Sequence, residues 1–151
     1  MLKLNFVNPP RLLTQKQINL LSREIFFFIA SYQKKIQKKL LQKKELTLVF
    51  LDEQQMAAIN LQFRHKNKST DVLSFDSQEP ESLGELLFCV EVLKRQAKEQ
   101  KHSFQKEFLY MLIHGILHLL GFDHEKSTSE ARRMFKIQDE CYFKILKKMT
   151  K

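Results

Sequence analysis

Apolar positions along the chain fall into short alternating runs and longer stretches of helical period. Leu2 to Val7 carries β-formers in partial alternation, and Asn8-Pro9-Pro10 stops it, which predicts a strand ended by a turn. Thr14 followed by Gln17 is a capping-box pattern. Ile18, Leu21, Ile25, Phe28, Ile29, Tyr32 and Ile36 then recur at helical spacing, predicting one helix whose carboxy-terminal end holds Lys34, Lys35, Lys38, Lys39, Lys43 and Lys44. Cations there complement the helix dipole and read first as a solvated end, with a binding surface as the alternative. Leu46 to Leu51 reads as a buried strand. Asp52 with Gln55 opens a second helix through Met56, Ile59, Leu61 and Phe63. After a basic stretch from Arg64 to Thr70, Val72–Phe75 and Leu83–Val90 read as strands around a loop, the second entered through Gly84. Glu91–Gln100 reads as a helix. Ser103 is an N-cap for a helix that stops at Gly121, a residue suited to a left-handed turn. Ser127 with Glu130 opens a final helix to about Lys148. The order β-α-β-α-β-β-α-α-α predicts an α+β fold, a mixed sheet of about four strands with about five helices packed on it.

Composition narrows the class. With 151 residues, 43% of them hydrophobic, and only 3 Gly and 3 Pro, the chain is expected to form a single domain, 1–151, with a core that requires no staples. The 26 basic and 17 acidic side chains leave a formal charge of +9, which favours polyanionic partners such as nucleic acid over a merely soluble basic surface. Cys89 and Cys141 form no CxxC pair and read as buried thiols of a reducing compartment. The amino terminus lacks the apolar run of a signal peptide, and the longest apolar stretch, Ile25 to Ala30, is too short to cross a bilayer. The expectation is a cytoplasmic protein with no membrane partner.

The chemistry concentrates in one string. Of five histidines, His114, His118 and His124 lie within eleven residues. His114 and His118 are four apart, so on a helix they share a face with Cβ atoms roughly 5–6 Å apart. Gly121 ends that helix and lets the chain return His124 towards the same point. Three neutral imidazoles suit one tetrahedral Zn2+ with its fourth position open, the arrangement of a hydrolytic metal rather than a structural one. Nickel is also compatible with imidazole in vitro. The alternative is a helix that merely happens to carry histidines. The three histidines and the glycine match the HExxHxxGxxH zinc-peptidase pattern, but Gly115 stands where the peptidase has its glutamate base. That departure points to another substrate class.

The string from His114-Gly115 to His124 resembles the HGxLHLxGYDH signature of the YbeY family of bacterial endoribonucleases and ribosomal RNA maturation factors, with Phe122 in place of tyrosine. Leu61 to Phe75 looks like that family's LNxxYRxKxxPTDVLSF, with Ser69 for proline. Leu83-Gly84-Glu85-Leu86 resembles its LGDI, with Glu85 for aspartate. The resemblance implies a zinc-dependent, single-strand-specific endoribonuclease of the bacterial cytoplasm. Its roles would be maturation of ribosomal RNA, notably the small-subunit 3′ end, and ribosome quality control. Its partners would be single-stranded or ribosomal RNA and the ribosome or small-subunit assembly factors. The family's functionally important arginine falls on Arg64. Arg64 and His114 are thus expected to be catalytic, with Arg64, His65, Lys66 and Lys68 binding substrate phosphates. Thr70-Asp71 is expected to pin the loop before its strand. Asp123 and Glu125 are both candidates to orient a histidine or accept a proton. Two other functions fit the same residues: a ribosome-assembly binding factor with weak nuclease activity, and a zinc peptidase using another base.

Overall fold

The computed structural model describes residues 2–149. Four strands, β1 (Lys3–Val7), β2 (Glu45–Leu51), β3 (Val72–Phe75) and β4 (Ser82–Cys89), form one sheet in the order β1-β2-β4-β3. β1, β2 and β4 run parallel, and β3 runs antiparallel to β4 at the edge, so the sheet is mixed as expected. Opposite Glu45–Thr47 of β2, the partner strand spends one extra residue between Ser82 and Glu85. This bulge at Leu83-Gly84 shifts the alternation, so that Leu83 faces the same core as Leu86 and Phe88 while Glu85 stays exposed.

Six helices surround the sheet: α1 (Gln15–Tyr32), α2 (Lys34–Leu41), α3 (Glu53–Arg64), α4 (Val90–Glu99), α5 (Phe104–Leu119) and α6 (Thr128–Met149). The expected capping boxes at Thr14 and Asp52 form completely, and Ser103 caps α5. The helix count is six rather than five because the expected first helix breaks at Gln33, which adopts an extended conformation (φ −149°, ψ 138°). No Gly or Pro marks the break. It lets α2 fold back, burying Ile36 and Leu40, whereas a straight continuation would carry those side chains beyond the core they serve.

The main core lies on the face lined by Leu46, Leu48, Phe50, Leu86 and Phe88, where α1, α5 and α6 contribute their apolar stripes. Phe50, Phe88 and Phe108 pack ring on ring, with centroids 5.0–6.0 Å apart. α3 covers the opposite face, where Met56 packs with Leu73, Leu87 and Cys89 and Val92 of α4 joins them. α5 is the central helix. It is buried nearly all round and contacts β3, β4, α1, α4 and α6. A helix held on every side is a rigid support for the histidines near its end. No described helix is long and apolar enough to cross a membrane.

Candidate metal centre

His114 and His118 project from one face of the last turns of α5. Two hydrogen bonds close that helix: Gly121 N–H donates to the His118 carbonyl and Phe122 N–H to the Leu117 carbonyl, each at 3.0 Å. This is the double bond of a Schellman stop, with Gly121 at φ +99°. The reversed chain carries His124 back to the helix. One ligand nitrogen from each of the three histidines then lies within 4.8 Å of the others. Ring centroids are 4.7 to 5.2 Å apart, and His118 Nε2 is 3.1 Å from His124 Nδ1. Tetrahedral coordination at about 2.0–2.1 Å sets ligand nitrogens about 3.3 Å apart, so the cluster is able to hold a divalent metal ion. All three side chains are half-buried.

The tautomer of His114 follows from a residue that the sequence pattern does not single out. Gln138, fully buried on α6, donates from Nε2 to the Tyr110 carbonyl at 3.4 Å. Its Oε1 therefore faces His114 Nδ1, at 2.9 Å, and accepts a hydrogen bond from the Nδ1–H. That leaves the lone pair on His114 Nε2 free. The signal for Gln138 was a polar residue in the apolar stripe of α6, between Ile137 and Cys141, but nothing local ties it to a residue 24 positions earlier. Phe135, one turn before Gln138, supplies an apolar wall, its ring 6.2 Å from His114 and 5.6 Å from His124.

Burial is the main reason that the imidazoles of His114 and His118 hold protons poorly. The pKa of His114 lies below the usual histidine value, burial outweighing the Gln138 hydrogen bond. That of His118 falls to about 4, through burial first and then the neighbouring charges of His114 and His124. Both are neutral at pH 7, the form that binds a metal.

The positive charge of Arg64 contributes to the lowering at both residues. The guanidinium is thus within electrostatic reach of the cluster despite a separation of fifty residues in sequence. Arg64 ends α3, and His65 caps it in the left-handed region (φ 59°). Buried Asn60, another residue that the sequence pattern missed, donates from Nδ2 to the Lys68 carbonyl at 2.9 Å and holds the loop that follows. His65, Lys66 and Lys68 are exposed on that loop, their side chains unengaged among the described residues; no contact joins them to the histidines.

Asp71 pins its loop as expected. Oδ1 accepts from Val72 N–H at 2.7 Å and the Thr70 hydroxyl at 3.3 Å, while Oδ2 accepts from Gln96 Nε2 at 3.2 Å. Its charge also reaches His114, opposing the lowering there. Asp123 Oδ1 accepts from Glu125 N–H at 2.8 Å, shaping the turn beside His124. The Glu125 carboxylate lies 4.0 Å from His124 Nε2. Gly115 proves to be a packing position. A Cβ there would meet the Leu86 side chain at 2.8 Å, so the direction a glutamate would take from this site leads into the sheet and away from the histidines. Cys89 and Cys141 are free and buried, and burial raises both thiols, Cys141 to about 12. They are inert.

The chain matches the family model for "Endoribonuclease YbeY" over residues 11–146. It is 56% identical over 118 residues to the endoribonuclease YbeY of Bdellovibrio bacteriovorus, covering 78% of this chain and 79% of that one. Against that of Macrococcus caseolyticus it is 36% identical over 150 residues, 93% of each. A Thermotoga maritima protein solved in solution is similar in structure, with a TM-score of 0.65 and 26% identity over 98% of this chain and 92% of that one.

Proposed function

Because the chain belongs to the YbeY endoribonuclease family, we propose that His114, His118 and His124 hold one zinc ion and that the site cleaves single-stranded RNA. As a family member it is an enzyme, a metal-dependent endoribonuclease of ribosomal RNA maturation and ribosome quality control. The finer reading assigns it the 3′ end of small-subunit RNA, in the bacterial cytoplasm and in company with small-subunit assembly factors. The observation that carries the zinc assignment is the convergence of three imidazole nitrogens within 4.8 Å, an all-nitrogen donor set suited to zinc, with nickel able to substitute in vitro.

A zinc ion bound there supplies a Lewis acid that acidifies water and offsets phosphoryl charge. The protein's own residues do the rest. Gln138 holds His114 in the tautomer that turns Nε2 towards the cluster. Arg64 offers a planar fork to a phosphate and stabilises negative charge developing on it. His65, Lys66 and Lys68 extend that positive surface along the loop. Asp123 is engaged by its own turn, which leaves the Glu125 carboxylate the freer of the two candidates to take a proton.

The peptidase alternative loses ground for a steric reason, since position 115 points into Leu86. The test pairs metal analysis of the purified protein with single-stranded RNA cleavage by wild type and His118→Ala. About one zinc per wild-type chain is expected, with metal and cleavage both lost in the folded variant. Full cleavage by a metal-free variant, free of contaminating nuclease, would sink the reading.

A further inference from the structure

One cavity adjoins the histidine loop without containing a histidine. It has a volume of about 340 Å3 and lies between the α1–α2 break, the end of α5 and the start of α6. Gly121, Phe122 and Asp123, the residues that run into His124, form part of its wall. Lys35 and Lys39 of α2 and Arg133 of α6 supply its positive charge. The break at Gln33 brings the lysines here: α2 folds back so that Lys39 Nζ donates to the Leu119 carbonyl at 3.3 Å, satisfying one of the acceptors left open at the end of α5.

Lys39 is therefore engaged by a backbone acceptor, whereas no hydrogen bond or ion pair holds Lys35 or Arg133 among the described residues. Arg133 lies over the Phe122 ring, its guanidinium carbon 5.3 Å from the centroid, a contact that holds the planar fork in one orientation. Two carboxylates share the cavity. Asp123 is drawn into its own turn by Glu125 N–H. Glu130 sits in the first turn of α6, where the helix dipole offsets its charge.

We infer that this cavity binds a phosphate of single-stranded RNA next to the scissile position, with Lys35 and Arg133 as its contacts. The inference rests on the ribonuclease reading above. A guanidinium fork and a free ammonium are the donor pair suited to a phosphodiester. The volume is at the small end of ligand cavities, right for one nucleotide and too small for a duplex. The position is set by the chain: the wall built by Phe122 and Asp123 runs directly into His124, so a phosphate held here belongs to a strand that also reaches the histidines.

The experiment measures anisotropy of a fluorescent 12-nucleotide single-stranded RNA with the full chain stripped of metal, across a salt series, and KM for the same RNA with metal restored. Lys35→Ala/Arg133→Ala is expected to raise Kd about tenfold and KM with it, and to flatten the log Kd against log salt slope by about 0.7 per lost phosphate contact. Lys94→Ala/Lys98→Ala on α4 removes the same charge elsewhere on the surface and should leave both nearly unchanged. Lys35→Arg keeps the charge and should keep the affinity. Equal losses in the two double variants, or an unchanged slope in the first, would overturn the subsite while leaving the ribonuclease reading intact. A wild type that, loaded with metal, neither binds nor cleaves the RNA would remove both.

Discussion

A histidine that ligates a metal has two ring nitrogens, and a protein gains by deciding which one faces the ion. In the site proposed here that decision would be made at a distance, since the Tyr110 carbonyl orients the Gln138 amide and that amide orients His114. Replacing Gln138 with leucine keeps most of the volume and removes the acceptor, so metal affinity should fall by about 10- to 100-fold. Competition with a chromophoric chelator measures this. Gln138→Glu, which retains an acceptor, should recover much of the loss; equal affinity in wild type and Gln138→Leu would show that the hydrogen bond does not set the ligand. The three histidines were legible in the sequence because a helix converts a spacing of four into proximity, and Gly121 announces the return of the chain. Gln138 and Asn60 were not, because their partners lie on elements or loops whose meeting depends on tertiary packing. Gly115 was legible only as a missing base. Its positive reason, close approach to Leu86, needed the sheet in place.

At the scale of elements, the site depends on how α5 ends. Nothing lies within 4 Å of a Cβ built on Gly121, so the residue is required by its backbone (φ +99°) and not by crowding. Gly121→Ala should accordingly cost about 1–2 kcal/mol from the left-handed penalty, seen as a lower urea midpoint of the metal-free protein. Because the same turn delivers His124, metal affinity should fall as well. A variant with unchanged midpoint and unchanged affinity would mean that the turn is not what aims His124. The capping boxes at Thr14 and Asp52 formed as read because their geometry is local, spanning four residues. The break at Gln33 escaped because it has no local cause. The periodicity of Ile29 and Ile36 is equally compatible with one helix or two, and only the demand to bury Ile36 and Leu40 against the rest of the core separates them. The break is also what places Lys35 and Lys39 beside the end of α5, so the one element missed in the pattern is the one that brings part of the lysine-rich segment to the histidine loop.

For the whole molecule, a charge of +9 reads as affinity for a polyanion, and its distribution separates binding from chemistry. The charge of Arg64 acts on His114 and His118 from the end of α3, while Lys35, Lys39 and Arg133 of α2 and α6 line the cavity beside the loop that leads to His124. A separate cavity on the side of the sheet that α3 covers is lined by Glu45, Asp76, Glu79 and Glu85 and by no basic residue. RNA should therefore be held by a surface that does not require the metal. The alternative of a binding factor with weak nuclease chemistry predicts the same separation but assigns the biological work to the surface alone. His118→Ala distinguishes the two. The folded variant should bind single-stranded RNA within about threefold of wild type, with the slope of log Kd against log salt preserved at about 0.7 per neutralised phosphate, and should show no cleavage. If this variant then restores ribosomal RNA maturation in cells lacking the protein, the binding surface is sufficient. If it binds and fails to restore it, cleavage at the histidine cluster is the activity on which the molecule's function rests.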